Sequence, residues 1–81
     1  MSHTPHELAE EFPDKVSVMH YQKLSDADFA RLADAYREIN RQVHRAETNV
    51  EPMEDLAEGE LRKKRAALKD EIWSIVSEAS A

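Results

Sequence analysis

From Phe29 onward the apolar side chains keep a regular order. Phe29, Leu32, Tyr36, Ile39, Val43, Ala46 and Val50 follow one another in steps of 3, 4, 3, 4, 3 and 4. That alternation is the seam of a heptad pattern, a single stripe along an α-helix. A second stripe passes through Leu61, Arg65, Leu68, Ile72, Ile75 and Ala79 in steps of 4, 3, 4, 3 and 4. Between the two, Thr48 and Asn49 are poor helix formers and Pro52 disfavours helical geometry at Glu51, which predicts a turn. Ser25 is the expected N-cap of the first helix, with Asp28 completing a capping-box-like arrangement. Pro52 suits the first position of the second helix, and Glu54, Asp55 and Glu58 sit at the positive end of its dipole. Gly59 is a weak point there, costing about 1 kcal/mol relative to alanine. The pattern therefore predicts helices over about residues 26–48 and 54–79, joined by a turn over about 49–53.

Upstream the order is lost. "TPHE" reads as Thr4 capping a helix that opens at Pro5, with Glu7 completing the cap, and Pro13 ends that helix or starts another. Val16, Met19 and Leu24 allow a short third helix lying along the other two. The expected division is an N-terminal segment over 1–24, a short helix or partly mobile, and a helical hairpin over 25–81. The fold class is all-α: an antiparallel, coiled-coil-like hairpin. One such hairpin leaves much of each stripe uncovered, and a chain of 81 residues buries a limited core. Two hairpins would cover each other as a four-helix bundle, so a homodimer is the expected way to finish the core.

Composition narrows the function. The chain has one glycine, no cysteine, 35% charged residues and a formal charge of −6. The absence of cysteine excludes disulfides and thiolate metal sites and fits a reducing compartment. An acidic total argues against coating nucleic acid or an anionic membrane. No run nears the roughly 20 apolar residues of a membrane-spanning helix. The start, "MSHTPHELAEEF", lacks the apolar stretch of a signal peptide. The expected location is the cytoplasm, with no membrane attachment.

The stretch "LRKKRAALKDEIW" holds five bases in its first nine positions: Arg62, Lys63, Lys64, Arg65 and Lys69. At about 100° per residue, Leu68, Ile72 and Ile75 fall within about 40° of Leu61 and define the packing side. Arg62, Arg65 and Lys69 lie on one flank, Lys64 on the other, and Lys63 opposite. The bases encircle the helix, and Glu58 and Glu60 stand four residues before Arg62 and Lys64, the favourable acid-first orientation. This reads as a solvated, salt-bridged face. Trp73 adds a sharper alternative, because an indole bordered by Arg62 and Lys69 resembles a stacking platform for a single strand. Its plainer role is packing on the N-terminal segment, with Lys69 extended over it. Nucleic-acid binding through Arg62, Arg65, Lys69 and Trp73, with Arg37 and Arg41, is thus the second reading.

The blocks "FARLADAYREINRQVHRAE" and "LRKKRAALKDEIWSIV" resemble the YdcH-like family of small bacterial proteins of unknown function. The first block matches at Phe29, Leu32, Tyr36, Ile39, Val43 and Glu47. The second matches at Leu61, Lys63, Lys64, Leu68, Lys69, Asp70, Glu71 and Ile72, and Phe12-Pro13 stands at the expected distance upstream. The acidic start, Met1 to Glu11, and the connector "EPMEDLAEGE" depart from the family pattern. The resemblance implies a helical hairpin that can pair into a bundle. It implies no reaction, cofactor or ligand, and it draws attention to Lys69, Asp70 and Glu71.

Other chemistry is sparse. His3 and His6 lie near the start, His20 and His44 lack a carboxylate constellation, and no metal site is expected. With one glycine there is no phosphate-cradling loop, and no nucleophile sits beside a base, so no enzyme activity and no cofactor are expected. Asn40 and Arg65 stand at the margins of the stripes as register-setting residues, Arg65 facing an acid such as Glu47. The reading that results is a small non-enzymatic protein-interaction or regulatory module. Its packing and dimer seam is Phe29, Leu32, Tyr36, Ile39, Val43, Leu61, Leu68, Ile72 and Ile75. Arg62, Lys69, Asp70, Glu71 and Trp73 are the candidate contacts to an unidentified protein partner.

Overall fold

Asp26 sets the frame. In the computed structural model, which describes residues 5–48 and 54–79, its backbone is extended. Its carboxylate accepts hydrogen bonds from the amides of Asp28 at 3.0 Å and Phe29 at 3.3 Å. Two of the donors that a helix start leaves unpaired are thereby satisfied, and helix α3 runs over Ala27–Glu47. The cap expected at Ser25 is displaced by one residue. Ser25 ends the preceding helix, α2 (Val16–Ser25), and its hydroxyl donates to the Tyr21 carbonyl at 2.9 Å. A residue whose own backbone is helical cannot be the half-in flanking residue of the next helix. Asp28 likewise turns to Arg31 and completes no capping box.

At its other end α3 is closed by Thr48, whose amide and hydroxyl both donate to the His44 carbonyl, at 3.0 and 2.9 Å. Helix α4 spans Asp55–Ala79 and passes through Gly59 without a break. The turn expected over 49–53, with Val50 and Pro52, lies outside the described residues, as do His3 and the Thr4 cap.

Helices α3 and α4 run antiparallel. Arg62 reaches Glu47 and Arg65 reaches Asn40, while Ile72 and Val76 join Phe29, Ala33 and Tyr36 in one cluster. Positions rise along one helix as they fall along the other. The described residues form an all-α fold of four helices, in which Tyr36, Phe29, Ile72, Val43, Val76 and Asn40 are the largest side chains under 2% exposed. Burying each large apolar side chain is worth about 1.5–3 kcal/mol.

The buried stripe is rotated from the expected seam. Phe29, Tyr36, Val43 and Ile72 are buried, but Leu32, Ile39, Leu61, Leu68 and Ile75 are half-buried. Ala33, Asn40 and Val76, each one residue past a seam position, are buried in their place. The cause is the N-terminal segment, which packs on that side. After a turn at Pro5 and His6 it forms α1 (Leu8–Glu11), a 3-10 turn (Pro13–Lys15) and α2. Met19 enters the core, and Leu8, Phe12 and Val18 pack against it. Val16 and Leu24 stay 47% and 76% exposed, so Met19 alone of the three expected residues reaches the core. The helix expected from Pro5 begins at Leu8, because His6 holds a left-handed φ of 62° that a right-handed helix excludes.

Two substitutions test this framework by urea unfolding followed by circular dichroism. Asp26→Ala removes both cap bonds and lowers stability by about 1 kcal/mol. At Gly59 an added methyl meets nothing within 4 Å. Gly59→Ala therefore raises stability by up to about 1 kcal/mol.

Candidate functional site

Polar atoms in the interior converge on the turn at Pro5 and His6. Asn40 is fully buried. Its Nδ2 donates to the Pro5 carbonyl at 2.8 Å, and its Oδ1 accepts from Arg65 Nη1 at 3.0 Å. One turn earlier on α3, the Tyr36 hydroxyl donates to the His6 carbonyl at 2.5 Å. A buried amide or hydroxyl without a partner is costly, so these bonds tie residues 5–12, hereafter the strap, to the hairpin.

The strap then crosses to α4. Glu11 Oε1 lies 3.1 Å from Lys69 Nζ and 3.3 Å from His6 Nδ1. The Phe12 ring stacks on Trp73 at 5.3 Å between centroids and 22° between planes. Lys69 Nζ also stands 5.8 Å from the Phe12 ring centre, a cation–π distance. Glu7 approaches Arg41 at 3.9 Å.

Two groups titrate abnormally for reasons visible in this arrangement. The Tyr36 hydroxyl is pushed up to about 12, chiefly by burial, with the Glu11 charge adding to the shift and Arg65 opposing it. For Glu11, burial alone would raise the carboxyl. The hydrogen bond and charge of Lys69, then those of His6, outweigh it and hold the group below its ordinary value.

The residues singled out as partner contacts fall on different faces. Lys69, Asp70 and Trp73 line one hollow of about 280 Å³ together with Phe12. Glu71 lies in another, of about 340 Å³, with Lys64, Ala35, Ile39, Ala67 and Leu68. Arg62 pairs with Glu47 at 3.2 Å and Glu58 at 3.3 Å. The pairing of Arg65 with Glu47 is replaced by Arg65 with Asn40. The antiparallel register places Arg62 opposite Glu47, and one turn further along α4 meets an earlier turn of α3. Glu60, expected to answer Lys64, sits 3.6 Å from Lys63. Trp73 packs on the N-terminal segment.

Arg37 borders a third hollow, a mostly apolar cleft of about 240 Å³ that also includes Leu8, Met19, His20 and Phe29. Sequence reasoning missed the strap contacts of Glu7, Glu11 and Phe12, and the use of Tyr36 and Asn40 as main-chain anchors. The available signal was the Tyr36/Asn40 pair, two polar-tipped side chains four apart on a buried stripe.

Among the described residues, no group of three or more His, Asp or Glu side chains is placed to hold a metal. No described helix is long and apolar enough to cross a membrane. A family model described as "Protein of unknown function (DUF465)" matches residues 29–76, more than half of the chain. No curated protein and no solved structure matches. The match begins at Phe29, so it takes in most of α3 and α4 and leaves the strap and α2 outside.

The strap's anchors have a pH signature. A raised Tyr36 value means its contribution is fully present below about pH 10, the ordinary value, and is lost as pH climbs towards about 12. A lowered Glu11 value means its contribution is present above 4.5 and is lost as pH falls through the lowered value. In urea midpoints across a pH series, Tyr36→Phe should flatten the alkaline limb and cost about 0.5–1.5 kcal/mol at neutral pH. Glu11→Gln should flatten the acid limb and, by removing a charge that adds to the Tyr36 shift, weaken the alkaline limb slightly.

Proposed function

We propose that this chain, which belongs to the DUF465 family of proteins of unknown function, is a non-enzymatic interaction module that works as a pair of hairpins. The YdcH-like resemblance read from its two blocks agrees with that family. One observation carries the proposal: the face of the hairpin away from the strap is apolar and half-covered. Leu32, Ile39, Leu68 and Ile75 are half-buried, and the hollow between α3 and α4 is floored by Ala35, Ile39, Ala67 and Leu68.

Lys64 and Glu71 bracket that hollow, and neither has an ion-pair partner among the described residues. They stand seven residues apart on α4, two turns or about 10.5 Å, with their midpoint between Ala67 and Leu68. A twofold axis through that midpoint sets Lys64 of one copy opposite Glu71 of the other, and the reverse. Contacts of this kind define an isologous dimer interface. Two copies joined there cover each other's apolar faces, as a four-helix bundle does.

The paired hairpins then present charged outer faces, Asp70 among them, to a protein partner in the cytoplasm. The bases of α4 support a protein partner over a nucleic acid. Arg62, Arg65 and Lys69 already hold Glu47, Asn40 and Glu11, and Trp73 is stacked on Phe12. The non-enzymatic reading is supported by the two displaced titrations, of Tyr36 and Glu11. Both belong to groups engaged in holding the strap.

Light scattering on a sizing column provides the test. The wild-type chain should run as a dimer at micromolar concentration, and Leu68→Glu as a monomer. Lys64→Glu should weaken pairing about tenfold, since symmetry doubles the lost ion pair and sets like charges face to face. Adding Glu71→Lys to that variant should restore the wild-type affinity. A wild-type monomer at every concentration would remove the proposal.

A further inference from the structure

We infer that the hairpin face beneath residues 5–12 is a peptide-docking groove, that the strap is its built-in occupant, and that it admits a short acidic–aromatic segment of another protein in the strap's place. This face lies away from the self-association hollow, so the inference does not rest on the pairing proposed above.

The contacts sort by what they recognise. Asn40 Nδ2 and the Tyr36 hydroxyl bind the main-chain carbonyls of two successive residues, Pro5 and His6. Neither bond depends on the identity of the bound side chain. Arg41 faces the carboxylate of Glu7, and Lys69 holds that of Glu11. Trp73 and Lys69 together receive the ring of Phe12. The groove thus reads two backbone carbonyls, an acid next to them, and an acid–aromatic pair one short helix further on. Main-chain bonds give affinity and side-chain contacts give selectivity, as in other peptide grooves.

Three further observations separate the groove from its occupant. Tyr36, Asn40, Arg41, Lys69 and Trp73 all lie within residues 29–76, the span matched by the family model, whereas the strap lies outside it. The anchors are buried, Tyr36 at 1% exposure and Asn40 at 0%, yet α1 contains no buried residue. A departing strap therefore frees no fully buried side chain of its own, only the half-buried Leu8 and Phe12, but leaves two buried donors that need new carbonyls. His6 also holds φ at 62°, an uncommon conformation for a residue with a side chain. Exchange for a segment without that constraint relieves it.

Charge points the same way. Residues 5–12 carry Glu7, Glu10 and Glu11 and no lysine or arginine. The groove presents Arg41 and Lys69, with Arg65 behind Asn40, in a chain whose net charge is −6. Because the strap is tethered, it competes at a high effective concentration. An incoming segment binds visibly only when the strap's own grip is loosened.

Trp73 is the sole tryptophan and stacks on Phe12, so its emission reports the occupant. The experiment uses the full-length Phe12→Ala variant and a synthetic peptide of residues 5–13, PHELAEEFP, with a control peptide carrying alanine in place of Glu11 and Phe12. The expected result is a saturable shift of Trp73 emission with the first peptide. Binding should be at least tenfold weaker with the control peptide, and about tenfold weaker to the wild-type protein than to the variant. No saturable change in a folded variant, or equal binding of the two peptides, overturns the inference. If Phe12→Ala loses its helical circular dichroism, Glu11→Gln takes its place in the same titration. Loss of helicity in both shows that the strap is inseparable from the fold and also overturns it. A dimer that forms with rising concentration and survives Leu68→Glu would identify the second copy's strap as the occupant, against the segment proposed here.

Discussion

The buried carboxamide of Asn40 joins three parts of the chain that have no local reason to meet. Its donor side holds the strap at Pro5, its acceptor side holds α4 at Arg65, and its own backbone belongs to α3. An amide with no exposed surface tolerates only arrangements that satisfy both ends. The register of α4 on α3 and the seat of the strap are therefore set together. Tyr36, one turn away, repeats the logic with a single bond to His6. Polar groups inside a small core give it one arrangement where apolar packing alone would accept several.

That arrangement makes the two faces of the hairpin unlike. On one side the strap and α2 cover Ala33, Tyr36 and Val76. On the other, Leu32, Ile39, Leu68 and Ile75 stay half-covered. A chain this short cannot surround both faces of two long helices. The closed face is held by main-chain hydrogen bonds and ion pairs, the open face by nothing but its own apolar side chains. These are surfaces of different chemistry: one is closed by polar contacts to the strap, the other is apolar and half-covered.

The basic run of α4 looks different once its neighbours are known. Arg62, Arg65 and Lys69 reach Glu47, Asn40 and Glu11, which lie 15, 25 and 58 residues away. Charges that read as a free flank on an isolated helix are the cross-links of the assembled one. The same holds for Trp73, whose ring is stacked on Phe12. The partially exposed ion pairs among these cross-links, to Glu47 and Glu11, contribute little each to stability. The effect of all three is on direction: the contacts to Glu47 and Asn40 set α4 against α3, and the one to Glu11 sets the strap against α4.

The two long helices were legible in the sequence because their evidence is local. Alternating steps of three and four fix a helical period wherever they persist, and Thr48 and Asn49 mark an end within a residue of where α3 closes. The family resemblance was legible for the same reason, being carried by short blocks on those helices. Which edge of each stripe is buried was not. Leu32 and Ala33, Ile39 and Asn40, and Ile75 and Val76 are adjacent pairs about 100° apart on the helix, and period alone fits both members. The choice was made by a segment 35 residues away in the chain, through the bond from Asn40 to Pro5. So the sequence by itself determined two amphipathic helices, because helical period is a property of near neighbours. Only the tertiary structure decided the buried side, the partners of the charges and the seat of the strap, because a buried polar atom is satisfied by whatever the fold brings to it.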